Sequence, residues 1–564
     1  MLQSYTMKKK QSRNRKFPLL FLYIIIPFLT FFFYLITIGH IPPFAVLGIF
    51  VNVPPKVEYE TFKISFDDSV PSEIEKYIVS SVDDIALDGK KRFEFVEKGD
   101  YVIKYSKDVE VPVYAKEYIP VGHMYWVKGE TSLEDLKSVK GIYVSSNEYE
   151  FAKGYFPELV GSDITVVSAE DMAIKLKSSE EYIGFVTSNE LSSDLKVLSW
   201  EDGYIFNDDG GSLKLRYALE GGKRNEFVKG ILSRNIERKY GESVGMDLTN
   251  VAKINMSGVV AMSRGLASKM DSLKNYEYPA RDLGEFLSDA DLTHISNEVS
   301  FVEGCTGYTG MRFCSNPKYI ETLKKSGVDI VELTGNHNND YGSTNNANTI
   351  QVYNDLGWDH FGGGLDITDA SKILYKEVKG STIAFVGYNY YDTMLNTGAI
   401  ASDTHAGANS YSVVKLERDI KIARENADVV IVTFQFQECY SYPDTDVIYP
   451  ICYKPLSSPD QKGVFRKAID FGANMVIGTQ AHQPQTYEVY KDGLIFYGLG
   501  NLYFDQYRWI GTRQGIILSL YVKDGKLIQV KMTPTIMDRD LIPRVAGESD
   551  SNLLLNLLKS ARTF

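Results

Sequence analysis

Six cations and no acid precede an uncharged run at the start of this chain, and that asymmetry limits what the rest can become. Lys8, Lys9, Lys10, Arg13, Arg15 and Lys16 come first, and the run extends from Phe17 past Ile38. A bilayer core takes roughly 20 apolar residues in a helix, and a basic flank keeps its own side cytoplasmic. The pattern predicts a cytoplasmic stub at 1–16, a transmembrane helix over 17–39 and a linker at 40–57. The expected localisation is the cell membrane, single-pass, with the N-terminus cytoplasmic and the bulk extracytoplasmic. A cleaved signal peptide is the competing reading, but the run is longer than the usual apolar segment of one and no small-x-small site follows it. Pro27 lies inside the run, where membrane helices tolerate proline if neighbouring groups re-satisfy the backbone.

Charge narrows the partners. Removing the six cations of the acid-free stub from a net charge of −12 leaves −18 for the remainder. Such a surface excludes nucleic acid, and it repels anionic polymers unless a cleft is locally basic or a metal supplies positive charge. The four cysteines fall in two close pairs, and an oxidising compartment predicts disulfides Cys305–Cys314 and Cys439–Cys452. Spacing alone leaves the other two pairings open, and no C-x-x-C points to zinc.

At 564 residues the chain is too long for one core. After the Pro42-Pro43 and Pro54-Pro55 breaks, residues 58–219 switch repeatedly between strand and helix periods, which predicts an α/β domain. Tyr59 to Phe66 alternates and Tyr118 to Val127 is a long strand candidate. Thr131-x-x-Glu134 has a capping-box pattern. Ile142 to Ser145, Ile164 to Val167 and Tyr182 to Thr187 read as strands, with Ser168 capping a helix between the last two. On Ser132 to Leu136 and Tyr182 to Val186 this region resembles a periplasmic-binding-protein-like domain of the type II kind; a spacer without a ligand is the plainer reading. Gly221-Gly222 and a charged stretch mark a linker at 220–250, before a second domain at 251–545 and a tail at 546–564.

In the second domain, hydrophobic strands end abruptly in polar turns, where α/β folds place their sites. Asp329 to Thr334 runs into Gly335-Asn-His-Asn-Asn-Asp-Tyr-Gly342, and Leu292 to Ser296 into Asn297-Glu298. Ala427 to Thr433 leads to Gln435, Phe436, Gln437 and Glu438, Ala473 to Gly478 to Gln480-Ala-His482, and Leu494 to Tyr497 to Gly498-Leu-Gly-Asn-Leu-Tyr-Phe-Asp505. Five strand ends are expected to meet in one cleft.

In order and spacing, Asn297-Glu298, Gly335-Asn-His-x-x-Asp-Tyr-Gly342, Gln480-Ala-His482 and Leu499-Gly-Asn-Leu-Tyr-Phe-Asp505 resemble the motifs of the CapA family of capsule and polyglutamate synthesis proteins. The resemblance implies a four-layer αββα, metallophosphoesterase-like domain, hence an α/β chain throughout, and a strand-end site for two metals. Three positions depart from the family pattern. Gly258-Val259 stands where Gly-Asp is usual, Gln435-Phe436-Gln437 where His-Trp-Gly is usual, and Gln480 where the first histidine of His-x-His is usual. Valine cannot bind a metal, and amide oxygens suit Ca²⁺ or Mg²⁺ better than Zn²⁺ or iron.

The remaining groups define the expected site. His337, oriented by Asp340, is the candidate general acid or base, with Glu298 beside it. Glu298, Asn336 and His482 are the candidate ligands of one divalent metal ion. Asn297, Asn336, Gln435, Glu438, Gln480 and Asn501 are the candidate substrate-binding residues. Each has a plainer reading, His337 as a turn residue, His482 as loop packing, Asn297 and Asn336 as turn formers. Arg264, Arg312 and Arg513 are candidates for local positive charge. The resemblance implies an anchored component in the synthesis, export or attachment of a capsule or polyglutamate-type polymer, with hydrolase or acyl-transfer chemistry. Its partners would be an anionic surface polymer or envelope glycan, the membrane, and membrane-bound synthesis proteins. A silent scaffold binding envelope polymer is the alternative class, and a secreted metallophosphoesterase a third.

Overall fold

In the computed structural model the described residues are 60–82, 91–106, 109–145, 163–201, 203–207, 211–240, 246–307, 310–390, 398–436 and 460–562. The expected membrane helix, its stub, Glu438 and the Cys439 and Cys452 pair lie outside them. Among the described residues no helix is long and apolar enough to cross a membrane. Two compact units are distinguished, Met1–Lys63 with Asp83–Glu94, and Ile64–Val82 with Phe95–Phe564. In the smaller, the rings of Phe62 and Phe93 lie 5.9 Å apart. The larger holds both α/β regions.

The first region is a mixed sheet. Six of its strands, consecutive neighbours, run in the order Tyr101–Tyr105, Leu213–Gly221, Tyr114–His123, Tyr182–Val186, Gly141–Val144, Asp163–Val166. The last three are mutually parallel, and Tyr114–His123 pairs antiparallel with both of its neighbours in this order. Helix Ala169–Lys177 is capped by Ser168, whose Oγ accepts the Asp171 amide at 3.2 Å. The other expected cap moves by one residue. Thr131 is committed to a two-residue ladder with Trp200, so Ser132 caps Leu133–Leu136 instead, in a reciprocal box with Asp135. Within the stretch read as a linker, Asn225–Tyr240 forms a helix that buries Val228, Leu232 and Ile236.

Among its described residues the second region contains two large sheets and a two-stranded pair of Gly363–Gly364 with Gly407–Ala408. Strands β1 (Val251–Val260), β2 (Leu292–Asn297), β3 (Ile330–Glu332) and β4 (Asp359–Phe361) are parallel neighbours. Strands β5 (Leu374–Val378), β6 (Ser381–Asn389), β7 (Val429–Gln435), β8 (Met475–Gly478), β9 (Tyr487–Tyr490) and β10 (Gly493–Phe496) make the other sheet, ordered β5-β6-β7-β8-β10-β9. The first sheet is completed by β11 (Asn501–Tyr503) beside β1 and by the antiparallel run β12 (Gln514–Lys523), β13 (Lys526–Met537) and β14 (Pro543–Val545).

Side-chain alternation explains the layering. Ile431 of β7 joins Met256, Ile330, Phe385 and Leu518 in a core between the sheets. Its neighbours Val430 and Val432 face the other way, onto Leu416 and Ile420 of helix α3 (Val413–Asn426) and Phe465 of α4 (Gln461–Asp470). On the far side, Ile295 and Val331 pack against Leu266 and Met270 of α1 (Arg264–Leu273) and Ile350 of α2 (Ser343–Asp355). Strands buried on both faces read as continuous apolar runs. The result is helix, sheet, sheet, helix.

The tail forms α5 (Glu548–Ser560), whose Leu554 and Leu558 enter the central core. Met124 of the first region enters the same core. Tyr487 donates to the Met124 carbonyl at 3.2 Å and the Val489 amide donates to Tyr125 Oη at 2.8 Å. Apolar burial continues from one α/β region into the other.

Candidate functional site

The parallel strands deliver their C-terminal ends to one place. Gly335 permits a close approach there, since a Cβ on it would stand 2.7 Å from Glu298 Cα and 2.9 Å from the Asn297 carbonyl. Val299 and His337 then form a parallel bridge. Asn338 locks the two turns, its Nδ2 facing the carbonyls of Gly335, Leu333 and Asn297 at 3.3 to 3.5 Å.

His337 Nδ1 and Asp340 Oδ2 are 2.7 Å apart, and the same oxygen accepts the Phe313 amide at 2.7 Å. Burial pulls the imidazole down, but the Asp340 hydrogen bond and the charges of Glu298 and Asp340 outweigh burial and Arg264, so its pKa lies above the ordinary value. His482 behaves oppositely. Burial dominates Glu298 and the Asn501 hydrogen bond, with His337 and Arg264 adding to it, and its pKa falls. Its Nδ1 meets Asn501 Oδ1 at 2.9 Å. Asn501 Nδ2 faces oxygens of His482, Thr512 and Gln506, so Oδ1 is the accepting end and His482 Nδ1 carries the hydrogen. Its Nε2 lies 3.9 Å from Glu298 Oε1.

Glu298 is 3 % exposed, and its Oε2 has no hydrogen-bond partner. Gln435 Nε2 donates to Asn336 Oδ1 at 3.0 Å, while Gln435 Oε1 and Gln480 Oε1 are buried without partners. Every unsatisfied side-chain atom among these site residues is thus an acceptor, which calls for a cation or a donor group. Asn297 is spent locally, donating to the Val299 carbonyl at 2.8 Å. The structure brings together Glu298, His337, Asp340, His482 and Asn501, and pairs Asn336 with Gln435; Glu438 lies outside the described residues.

Beside these groups lies an apolar cluster of Val259, Ala261, Val299, Phe313 and Phe504. Arg264, at φ 47°, sits against Phe504 and Phe313, 4.6 and 4.9 Å from their centroids. Its Nε donates to Asp505 Oδ1 at 2.9 Å, and the Gly265 amide donates to Oδ2 at 2.7 Å. Arg513 is held by the Met537 carbonyl and Asp538, and Arg312 donates to the Asp340 carbonyl. Below the cleft, Glu332 accepts Thr479 Oγ1 at 3.0 Å and lies 3.3 Å from His294, both fully buried. Asn338, Phe313 and the Glu332–His294 pair are additional to the expected residues; of these only Asn338, inside the Gly335–Gly342 turn, carries a local sequence signal.

A two-metal site does not fit these residues. Val259 is apolar, the Arg264 cation stands beside both imidazoles, and among the described residues no three His, Cys, Asp or Glu side chains form a metal cluster. One hard cation does fit the donor chemistry, through Glu298, His482 Nε2 and amide oxygens.

The model for the bacterial capsule synthesis protein PGA_cap matches residues 253–506. The capsule biosynthesis protein CapA of Bacillus anthracis is 29 % identical over 237 residues, 41 % of this chain and 54 % of its own. This domain belongs to the CapA family. The PGA biosynthesis protein CapA of Bacillus subtilis (strain 168) is 27 % identical over 226 residues, covering 39 % of this chain and 54 % of that one. The chain therefore spans about half the length of these curated CapA relatives. A probable polyglutamine synthesis accessory protein of Mycobacterium tuberculosis (strain ATCC 25618 / H37Rv) is 22 % identical over 271 residues, 43 % of this chain and 64 % of its own. Among solved structures, a hypothetical protein from Thermus thermophilus covers 50 % of this chain and 98 % of its own at 14 % identity, with a TM-score of 0.30. A likeness that distant carries no argument.

Proposed function

We propose that the chain is a membrane-anchored, extracytoplasmic CapA-like protein acting in the synthesis, export or attachment of a capsule or polyglutamate-type polymer, by hydrolysis or acyl transfer at the strand-end cleft. The observation that carries the chemistry is the His337–Asp340 pair beside a buried Glu298 with an unpartnered oxygen. Asp340 orients the ring, leaving His337 Nε2 to take or return a proton. Glu298, His482 and the Asn336 oxygen would hold one divalent cation, which supplies Lewis-acid polarisation of a carbonyl when bound. Membrane-bound synthesis proteins are the expected partners.

The test is release or transfer of polymer fragments by the full chain. The reading expects His337→Ala and Glu298→Gln each to lower the rate at least ~100-fold; unchanged rates in both variants sink it. The apolar cluster and the compensated Arg264 favour a second reading, a binding scaffold, for which both variants retain polymer binding and no turnover is found with any variant.

A further inference from the structure

The loop closed by the Cys305–Cys314 disulfide is built against the cleft on two sides. On one side, the residue before Cys314 donates its amide to Asp340 Oδ2 at 2.7 Å and lays its ring 4.3 Å from that of His337. Arg312 donates to the Asp340 carbonyl. On the other side, a Cβ on Gly307 would stand 2.1 Å from Ser268 Oγ and 2.6 Å from the Arg264 carbonyl, so the loop lies directly on the first turn of α1. Asn316 Nδ2 donates to the Cys305 carbonyl at 3.2 Å, and Ser315 Oγ to the Met262 carbonyl at 2.8 Å.

We propose that the Cys305–Cys314 disulfide is a redox-dependent positioning element, which holds Phe313 where its amide fixes Asp340 and its ring fixes His337. The inference rests on reading His337 and Asp340 as the working pair. Without the cross-link the loop regains conformational freedom, and the Phe313 amide no longer competes with water for Asp340. Reduction by a dithiol delivers two electrons and two protons to the cystine sulfurs, breaks the S–S bond, and leaves the reductant as its own disulfide. Both cysteines are buried, so the reaction needs the loop to open.

The experiment compares the full oxidised chain with the same chain reduced by a dithiol, and with Cys305→Ser/Cys314→Ser, by amide exchange and by ¹⁵N-histidine NMR. Asp340→Asn with the disulfide intact calibrates the histidine signal. The expected result is at least tenfold faster exchange at the Phe313 amide and loss of the His337 Nδ1–H signal, with the core amides of β7 still protected. Unchanged Phe313 protection and an unchanged Nδ1–H signal in the reduced chain overturn the proposal; if the double variant fails to fold, the reduced native chain decides. Polymer chemistry plays no part in these readouts, so its absence would sink only the proposed function.

Discussion

The two halves of the cleft follow opposite rules. In one, Glu298, His337, His482 and Asn501 keep polar atoms turned toward each other, and Glu298 Oε2 is left without a partner. In the other, Val259, Phe313 and Phe504 form a dry wall, and its one guanidinium, Arg264, is matched by Asp505. The polar half is incomplete without something bound, while the apolar half is complete as it stands. The two halves can sit side by side because the apolar one is packed on itself and its cation is paired, so it makes no polar demand on the other.

Val259→Asp attacks this contrast most strongly. A carboxylate placed in the dry wall should cost about 4 kcal/mol in chelator-treated buffer, read from denaturant midpoints; a loss that disappears in millimolar Mg²⁺ would show that the halves can still be joined. Asp505→Ala should cost about 3 kcal/mol, because Arg264 is left partly buried and uncompensated, whereas loss of a mere surface pair would fall below about 1 kcal/mol. Asn338→Ala, which frees the carbonyls tying the two turns, should cost about 2 kcal/mol and broaden the resonances of Asn297 and His337 together.

The smallest effect is in pH. His337, with its folded pKa raised, contributes stability that is full below the unfolded value of about 6.5 and fades as pH rises through the folded value. His482, with its folded pKa lowered, contributes stability present above about 6.5 and lost as pH falls through the folded value. Histidine NMR should therefore show the two rings titrating on opposite sides of the ordinary value, with His337 moving toward it in Asp340→Asn.

Much of the polar half was legible because its residues sit in short strings at strand ends. The turn from Gly335 to Gly342 carries His337 and Asp340 at a spacing of three, and the structure joins them. The Cys305–Cys314 link was legible from proximity. The apolar half was not, since Arg264 and Asp505 are separated by 241 positions and neither stands in a string that demands the other. The helix Asn225–Tyr240 was hidden by charged neighbours, although Val228, Leu232 and Ile236 recur at helical spacing. The capping box moved from Thr131 to Ser132 because a tertiary ladder claimed Thr131, which no local pattern records.

The claim that the polar half holds one divalent cation is tested most directly by elemental mass spectrometry of the purified full chain beside Glu298→Gln and His482→Ala. Close to one divalent ion per wild-type chain and a loss in both variants is the expected result. Wild-type protein without metal after equilibration with Mg²⁺, Ca²⁺ and Mn²⁺, or variants that retain the wild-type content, would contradict it.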